Sequence, residues 1–218
     1  MDTQERATQI DERLRALYPE ARIMLRYASE FQLLVAVILS AQTTDVGVNK
    51  VTPILFERFP TPQTLADADP AEVEEIVHPT GFFRNKTKNI MGAARTIVAE
   101  FDGCVPDTME ELLTLPGVAR KTANIVLYNA FGKSEGIAVD THVFRLAHRL
   151  GLSSEEDPNK VERDLMALLP REEWGPLTYR LIEHGRAICD AKRPICGQCV
   201  LAELCASAFT VKGWRESA

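Results

Sequence analysis

Residues 115–127 have the sequence LPGVARKTANIVL, and this stretch constrains the fold more than any other. Pro116 and Gly117 favour a tight turn, because glycine adopts a positive φ without steric cost. The residues that follow are typical of a helix, whose first backbone N–H groups have no partner inside it. Such a terminus can bind a DNA phosphate, so the stretch predicts a helix-hairpin-helix element that holds the backbone without selecting a base sequence. An ordinary turn between two helices, with a solvated basic corner, is the alternative.

Helical patterns extend in both directions from this stretch. Thr108 and Glu111 form a capping-box pattern before the turn, and Ser29 can cap a helix that is apolar on nearly every side. Asp45 can cap the next helix, and Asp140 can cap one that starts at Thr141. Because no run alternates as a strand would, the sequence predicts an all-α protein of about ten helices.

The composition is that of a globular protein. The chain has 218 residues, enough for one large domain or two small ones, with 45% hydrophobic and 26% charged residues. The longest apolar run, Leu33–Leu39, is too short to span a bilayer, and the N-terminus has no secretory pattern. We therefore expect a cytoplasmic protein with no membrane partner.

A net charge of −6 argues against nucleic acid as a partner, but only weakly. Phosphate contacts need a local basic face, and a basic average is not required. The basic residues are grouped, at Arg84–Lys88, Arg120–Lys121, Arg145–Arg149 and Lys192–Arg193. This grouping permits a basic groove on an acidic protein.

Lys121 lies in the first turn of the predicted helix. The helix dipole is positive there and favours a neutral amine, which can attack an electrophilic carbon and form a Schiff base. Asp140 follows about 20 residues later, within Val139–His142. Its carboxylate could remove a proton and steady positive charge on a sugar, or it could serve only as a helix cap.

Four cysteines lie close together near the C-terminus, with the spacing C-x6-C-x2-C-x5-C; they are Cys189, Cys196, Cys199 and Cys205. The compact run favours a [4Fe–4S] cluster with four thiolate ligands. A zinc site is less favoured, since it usually pairs two knuckles across a longer gap, and disulfides would suit a secreted chain. The fifth cysteine, Cys104, we interpret as a small apolar residue.

In order and separation, LPGVARKTANIVL, then VDTH at 139–142, then the four cysteines resemble the endonuclease III family of the HhH-GPD superfamily. Residues 39–45 and 80–82 also match family segments, so the resemblance covers nearly the whole chain. It implies two α-helical domains with a DNA groove between them. A six-helix barrel would span 24–134, with its helix-hairpin-helix at about 108–131, and an iron–sulfur domain would combine 1–23 with 135–218.

The resemblance also implies an activity and a set of roles. The protein would be a base excision repair DNA glycosylase that removes oxidised pyrimidines, with AP lyase activity by β-elimination. Lys121 would be the Schiff-base nucleophile, Asp140 the essential carboxylate, and the four cysteines the ligands of a [4Fe–4S] cluster. The partner would be double-stranded DNA that contains damaged pyrimidines or abasic sites, bound by a monomer associated with a bacterial nucleoid.

Further residues are implied to contact DNA. Gln42 would fill the gap in the duplex, Phe82 would stand where the family has a leucine wedge, and Lys192 and Arg193 would contact phosphate. The hairpin would contribute Gly117, Ala119 and Arg120. Phe82 could instead be a core residue, and Gln42 a polar residue at a helix end.

Two departures from the family pattern accompany these roles. Phe82 is larger than leucine and can stack on a base. Ala119 replaces a second hairpin glycine, so this position is expected either to be helical or to alter the phosphate contact, because alanine disfavours positive φ.

Three other functions compete with this interpretation. A pyrimidine-dimer glycosylase/lyase would share most of the motifs. An adenine glycosylase shares the cysteine spacing but lacks the hairpin lysine and has a further C-terminal domain. A non-catalytic DNA-binding or redox-sensing protein would use the hairpin and the cluster alone, and the presence of both Lys121 and Asp140 argues against it.

Overall fold

The computed structural model describes residues 2–217, and helices are the only regular elements in that range. The predicted all-α fold class is therefore confirmed. No helix in the described part of the chain is long and apolar enough to cross a membrane. The α-helices are α1 (Thr3–Leu17), α2 (Glu30–Leu39), α3 (Asp45–Arg58), α4 (Pro62–Ala66), α5 (Pro70–Val77), α6 (Phe83–Glu100), α7 (Met109–Leu112), α8 (Arg120–Phe131), α9 (Thr141–Arg149), α10 (Pro158–Leu168) and α11 (Trp174–Ala187).

The chain divides into two compact units. One comprises Met24–Lys133 and contains α2 to α8. The other combines Met1–Ile23 with Ser134–Ala218 and contains α1 together with α9, α10 and α11. Residues distant in sequence thus build the second unit.

Helix α2 lies at the centre of the first unit. Eight of its ten residues are buried, because its sequence is apolar all round, and it contacts α3, α6 and α8. Ser29 caps it as predicted, accepting from the backbone N–H of Gln32. The predicted cap of α3 is wrong by one residue: Thr44 accepts from Gly47, and Asp45 is the first helical residue.

The second unit has a core shared by α1, α9, α10 and α11. Each of these helices contributes an apolar face, with Leu14, Leu146 and Leu181 fully buried among them. Asp11 is also buried, and Arg15 and Arg180 each donate to its carboxylate at 2.9 Å. Pairing of this kind offsets the cost of burying the charge, so α1 is held to α11 by charge as well as by apolar contact.

Candidate functional site

The turn between α7 and α8 is shaped by Gly117, whose φ is +79°. A Cβ at this position would lie 2.7 Å from the Cβ of Asn89 on α6, so any other residue would be strained and would also collide. The N–H of Val118 donates to the carbonyl of Leu115 at 3.1 Å and closes the turn. Helix α8 begins at Arg120, directly after the turn.

Ala119 is the N-cap residue of α8, with φ −104° and ψ 171°. The expectation that this position is helical is wrong, and an altered phosphate contact stays a prediction. The backbone here is extended, with a negative φ that alanine adopts without strain. No side chain caps this terminus, and an uncapped helix start presents backbone N–H groups that can bind an anion.

Lys121 is the second residue of α8, and its side chain is exposed. Gly117, Ala119, Arg120 and Lys121 therefore share one short surface segment, which joins the predicted phosphate contacts to the predicted nucleophile. The neighbouring Arg120 is half-buried. The amine of Lys121 is thus presented at a helix start rather than packed into the core.

Asp140 is the N-cap residue of α9 and is half-buried. Its Oδ1 accepts from the backbone N–H groups of His142 and Val143, both at 2.8 Å. Both hydrogen bonds use the same oxygen, so the cap orients the carboxylate while Oδ2 has no partner among the described residues. Asp140 therefore caps α9 through Oδ1, and its Oδ2 atom stays available as a proton acceptor.

Gln42 and Phe82 both have a left-handed backbone, with φ of +55° and +50°. Both are exposed, Phe82 to 64%, so the interpretation of Phe82 as a core residue is wrong. Lys86 joins the two segments: its Nζ donates to Thr43 Oγ1 at 2.6 Å and to the carbonyl of Thr80 at 2.7 Å. Lys86 thereby links the segments that carry Gln42 and Phe82, which are 40 positions apart in sequence.

Lys86 is itself buried, with 4% of its surface exposed. Burial disfavours the ammonium and lowers the pKa of Lys86 from its usual value. In the sequence, Lys86 is one member of the basic group Arg84–Lys88, and nothing local distinguishes it from an exposed lysine.

The four predicted cluster cysteines line one cavity, whose other walls are mostly apolar residues of α9, α11 and the C-terminal segment, together with Arg149, His184 and Ser207. None of the four forms a disulfide. Within residues 2–217, no three His, Cys, Asp or Glu side chains close on the position of a single metal ion. Four thiols around a shared cavity are the ligand set that a [4Fe–4S] cluster requires.

The thiols also have hydrogen-bond donors suited to thiolates. Arg149 Nη1 lies 3.3 Å from Cys189 Sγ, and backbone N–H groups point at Cys199 and Cys205. Burial raises the pKa of Cys199 to about 11 and also raises that of Cys205. Iron binding must therefore supply the free energy of deprotonation, as metal coordination does.

The segment between Cys189 and Cys196 is held in place from two sides. Asp190 Oδ1 accepts from the backbone N–H groups of Lys192 and Arg193, each at 2.9 Å, and these bonds hold the pKa of Asp190 below its usual value. Arg149 donates to the carbonyls of Asp190 and Ala191, each at 2.7 Å. The side chains of Lys192 and Arg193 are left exposed.

Two residues that sequence reasoning missed support this region. Arg149 was grouped with a basic face, but its guanidinium is used internally. His184 is buried, with Nδ1 3.1 Å from the hydroxyl of Tyr18 and Nε2 3.4 Å from Cys199 Sγ. Burial lowers the pKa of His184 to about 4, so the ring is neutral. A histidine five residues before Cys189 is the local signal, and it is weak.

Comparison with known proteins gives two family matches. Residues 35–171 match the HhH-GPD superfamily of base excision DNA repair proteins, and residues 189–205 match the iron–sulfur binding domain of endonuclease III. An endonuclease III from Synechocystis sp. is 59% identical over 204 residues, which cover 94% of this chain and 93% of that protein. This chain belongs to the endonuclease III family.

Solved structures agree with the sequence matches. A non-covalent endonuclease III–DNA complex has a TM-score of 0.91 and 40% identity, over 95% of this chain and 97% of that one. A trapped covalent endonuclease III–DNA intermediate has the same TM-score and identity, over 95% and 98%. The endonuclease III of Escherichia coli is 39% identical over 88% of this chain and 91% of that protein.

Family membership confirms several predictions. The resemblance was correct, the protein is a base excision repair DNA glycosylase, and the iron–sulfur cofactor is confirmed by the second family match. The roles of the individual site residues stay predictions.

Proposed function

We propose that this protein removes oxidised pyrimidines from double-stranded DNA and then cleaves the strand by β-elimination, with Lys121 as the Schiff-base nucleophile. The observation that carries the proposal is the exposed Lys121 amine in the first turn of α8, directly after the Gly117 turn, in a chain of the endonuclease III family. The proposed active form is a monomer, and its proposed location is the bacterial nucleoid.

The chemistry begins outside the base stack, because a damaged base cannot be attacked inside it. The neutral amine of Lys121 attacks C1′ of the extruded nucleotide, and the base leaves with the glycosidic electron pair. The resulting iminium acidifies the 2′ hydrogen. Loss of that proton expels the 3′ phosphate and nicks the strand.

Asp140 assists as the carboxylate partner of this reaction. Its Oδ1 is fixed by two backbone N–H groups, so Oδ2 has a defined direction. The carboxylate serves as the base for the proton that the amine loses, directly or through water, and it stabilises positive charge developing on the sugar. The cap therefore orients the group that performs the acid–base work.

DNA binding involves separate parts of the surface. The uncapped start of α8, with Gly117, Ala119 and Arg120, binds phosphate through backbone N–H groups and positive charge. Lys192 and Arg193 contact phosphate from the loop between the first two cysteines. Gln42 and Phe82 enter the duplex, where Gln42 faces the unpaired base and the ring of Phe82 stacks.

Cys189, Cys196, Cys199 and Cys205 are the proposed ligands of the [4Fe–4S] cluster. With four cysteine ligands the cluster would have no iron open to the substrate, so it would supply structural support. This chain's own residues then hold the phosphate-binding loop, with Asp190 turning it and Arg149 anchoring its carbonyls.

Borohydride trapping on a thymine glycol duplex tests the proposal. Native protein should give a covalent adduct, since hydride reduces the iminium to a stable amine. Lys121→Ala should give none while still binding DNA. Equal trapping by the two proteins, or no trapping by the native one, would refute the Lys121 mechanism. A parallel panel of dihydrouracil, pyrimidine dimer and mispaired adenine separates the competing substrate classes.

A further inference from the structure

Lys86 links two surface segments that we name the Gln42 loop (residues 40–44) and the Phe82 loop (residues 80–83). Its ammonium donates to Thr43 Oγ1 in the first loop and to the Thr80 carbonyl in the second. Thr43 Oγ1 also donates to the Thr80 carbonyl. One lysine and one hydroxyl thus converge on a single carbonyl oxygen, and the three groups form a compact cross-link.

The cross-link lies beside two strained positions. Gln42 precedes Thr43 directly, and Phe82 lies two residues after Thr80; neither is glycine, yet both have positive φ. A left-handed backbone at such residues persists only where the surrounding structure fixes it. Lys86 also donates its own backbone N–H to the carbonyl of Phe82 at 3.1 Å, so it contacts the Phe82 loop twice.

The position carries a cost that packing alone does not explain. Lys86 is 4% exposed, and its two side-chain partners in the described chain are uncharged oxygens. No carboxylate among residues 2–217 offsets the desolvation of its ammonium. A buried methionine would fill similar space without this cost. The two hydrogen bonds of the ammonium, to Thr43 and Thr80, are what offsets this cost, and they join the two loops.

We propose that Lys86 is a positioning residue that fixes the Gln42 loop against the Phe82 loop, so that both side chains enter the duplex as one rigid pair. The inference rests on the proposed roles of Gln42 and Phe82. Pre-organised loops lose less freedom on binding, and both insertions then occur together. Lys86 should matter for opening the duplex and be unimportant for the amine chemistry of Lys121.

The test uses Lys86→Met, which keeps the apolar stem and removes the donors. Its matched control is Lys133→Met, because Lys133 Nζ also donates to a backbone carbonyl and to a side-chain oxygen, both of Asp107 in the same unit. Each variant is compared with native protein on a thymine glycol duplex and on a single-stranded oligonucleotide with an abasic site. The single strand needs no opening.

We expect Lys86→Met to lose about 10–100-fold in excision rate on the duplex, the scale of a misplaced active-site element. It should trap on the single strand within about twofold of native protein, and Lys133→Met should match native protein on both substrates. An unchanged duplex rate, or equal losses on both substrates, would overturn the proposal. Absence of trapping by native protein would instead refute the Lys121 mechanism.

Two measurements separate positioning from a general loss of stability. In a Lys121→Gln background, 2-aminopurine opposite an abasic site reports unstacking without any chemistry, and Lys86→Met should abolish its fluorescence rise. In a double-mutant cycle, Lys86→Met should add little to the loss caused by Phe82→Ala, because both act through one element. Fully additive losses, or a retained fluorescence rise, would contradict the inference.

Discussion

Two glycines at opposite ends of α8 separate the cost of a backbone conformation from the cost of a steric clash. Gly117 and Gly132 both have positive φ, +79° and +65°, but only Gly117 faces a neighbour within 4 Å. Gly132→Ala should destabilise the protein by roughly 1 kcal/mol through backbone strain alone. Gly117→Ala should cost about 2–3 kcal/mol, since its Cβ also collides with Asn89.

Denaturant unfolding of the two variants checks the difference in stability, and fluorescence anisotropy with an abasic-analogue duplex checks binding. Gly117→Ala should also weaken DNA binding by about tenfold, the loss of one or two charge-assisted hydrogen bonds. Gly132→Ala should bind normally. If both variants lose affinity equally, the Gly117 turn has no special part in holding phosphate.

The buried Lys86 gives a second residue-scale prediction, in its dependence on pH. Its pKa lies below the unfolded value of 10.5, so the folded state binds fewer protons between the two values. Stability from this group is therefore lost as pH falls through the folded pKa, and it rises as pH increases towards 10.5. The free energy of unfolding of native protein, relative to Lys86→Met, should increase from pH 8 to about pH 10.5. A constant difference would mean that Lys86 titrates normally.

At the scale of elements, local chemistry made the helices and their caps predictable. Ser29, Thr108 and Asp140 cap helices where the sequence indicated, since each side chain needs only a backbone N–H two or three residues away. Helix α4 (Pro62–Ala66) was missed because five residues carry too little periodicity to recognise.

The supports of the candidate site could not be predicted in the same way. Lys86 and Thr43 are 43 positions apart, and Arg149 reaches the carbonyls of residues 190 and 191. These interactions depend on how whole helices pack, and no local pattern records them. The sequence thus identified the residues proposed to act on DNA but missed the ones that hold them.

The segment that contains the four cysteines is expected to support DNA binding and to be unnecessary for the Lys121 chemistry. Cys199→Ala should lose iron and weaken duplex binding, because the loop that carries Lys192 and Arg193 would lose an anchor beside it. It should still trap an abasic site in a single strand, since Lys121 lies in the other unit and Asp140 is held by backbone N–H groups of its own helix, α9. Iron content, anisotropy and trapping are the measurements. Cys104→Ala, an exposed thiol outside the cavity, is the control and should change none of them. Full duplex affinity without iron would refute the supporting role.

For the whole molecule, a net charge of −6 means that DNA attraction must come from local basic surfaces. Affinity should therefore fall steeply as salt rises. Replacing both Lys192 and Arg193 by alanine should reduce the slope of log affinity against log salt by roughly 2, because each phosphate that the protein neutralises adds about 0.9 to that slope. Arg163, exposed on α10, is a matched control whose replacement by alanine should leave the slope unchanged.

The slope discriminates between two ways in which an acidic protein can bind DNA. If the average charge governed binding, Arg163→Ala would weaken it as much as either loop variant, because each removes one positive charge. If discrete phosphate interactions govern it, only the loop variants change the slope, since only they change the number of counterions released. Titrations of native protein and the three single variants at several salt concentrations decide the matter. Identical slopes for all four proteins would remove Lys192 and Arg193 from the DNA-binding surface.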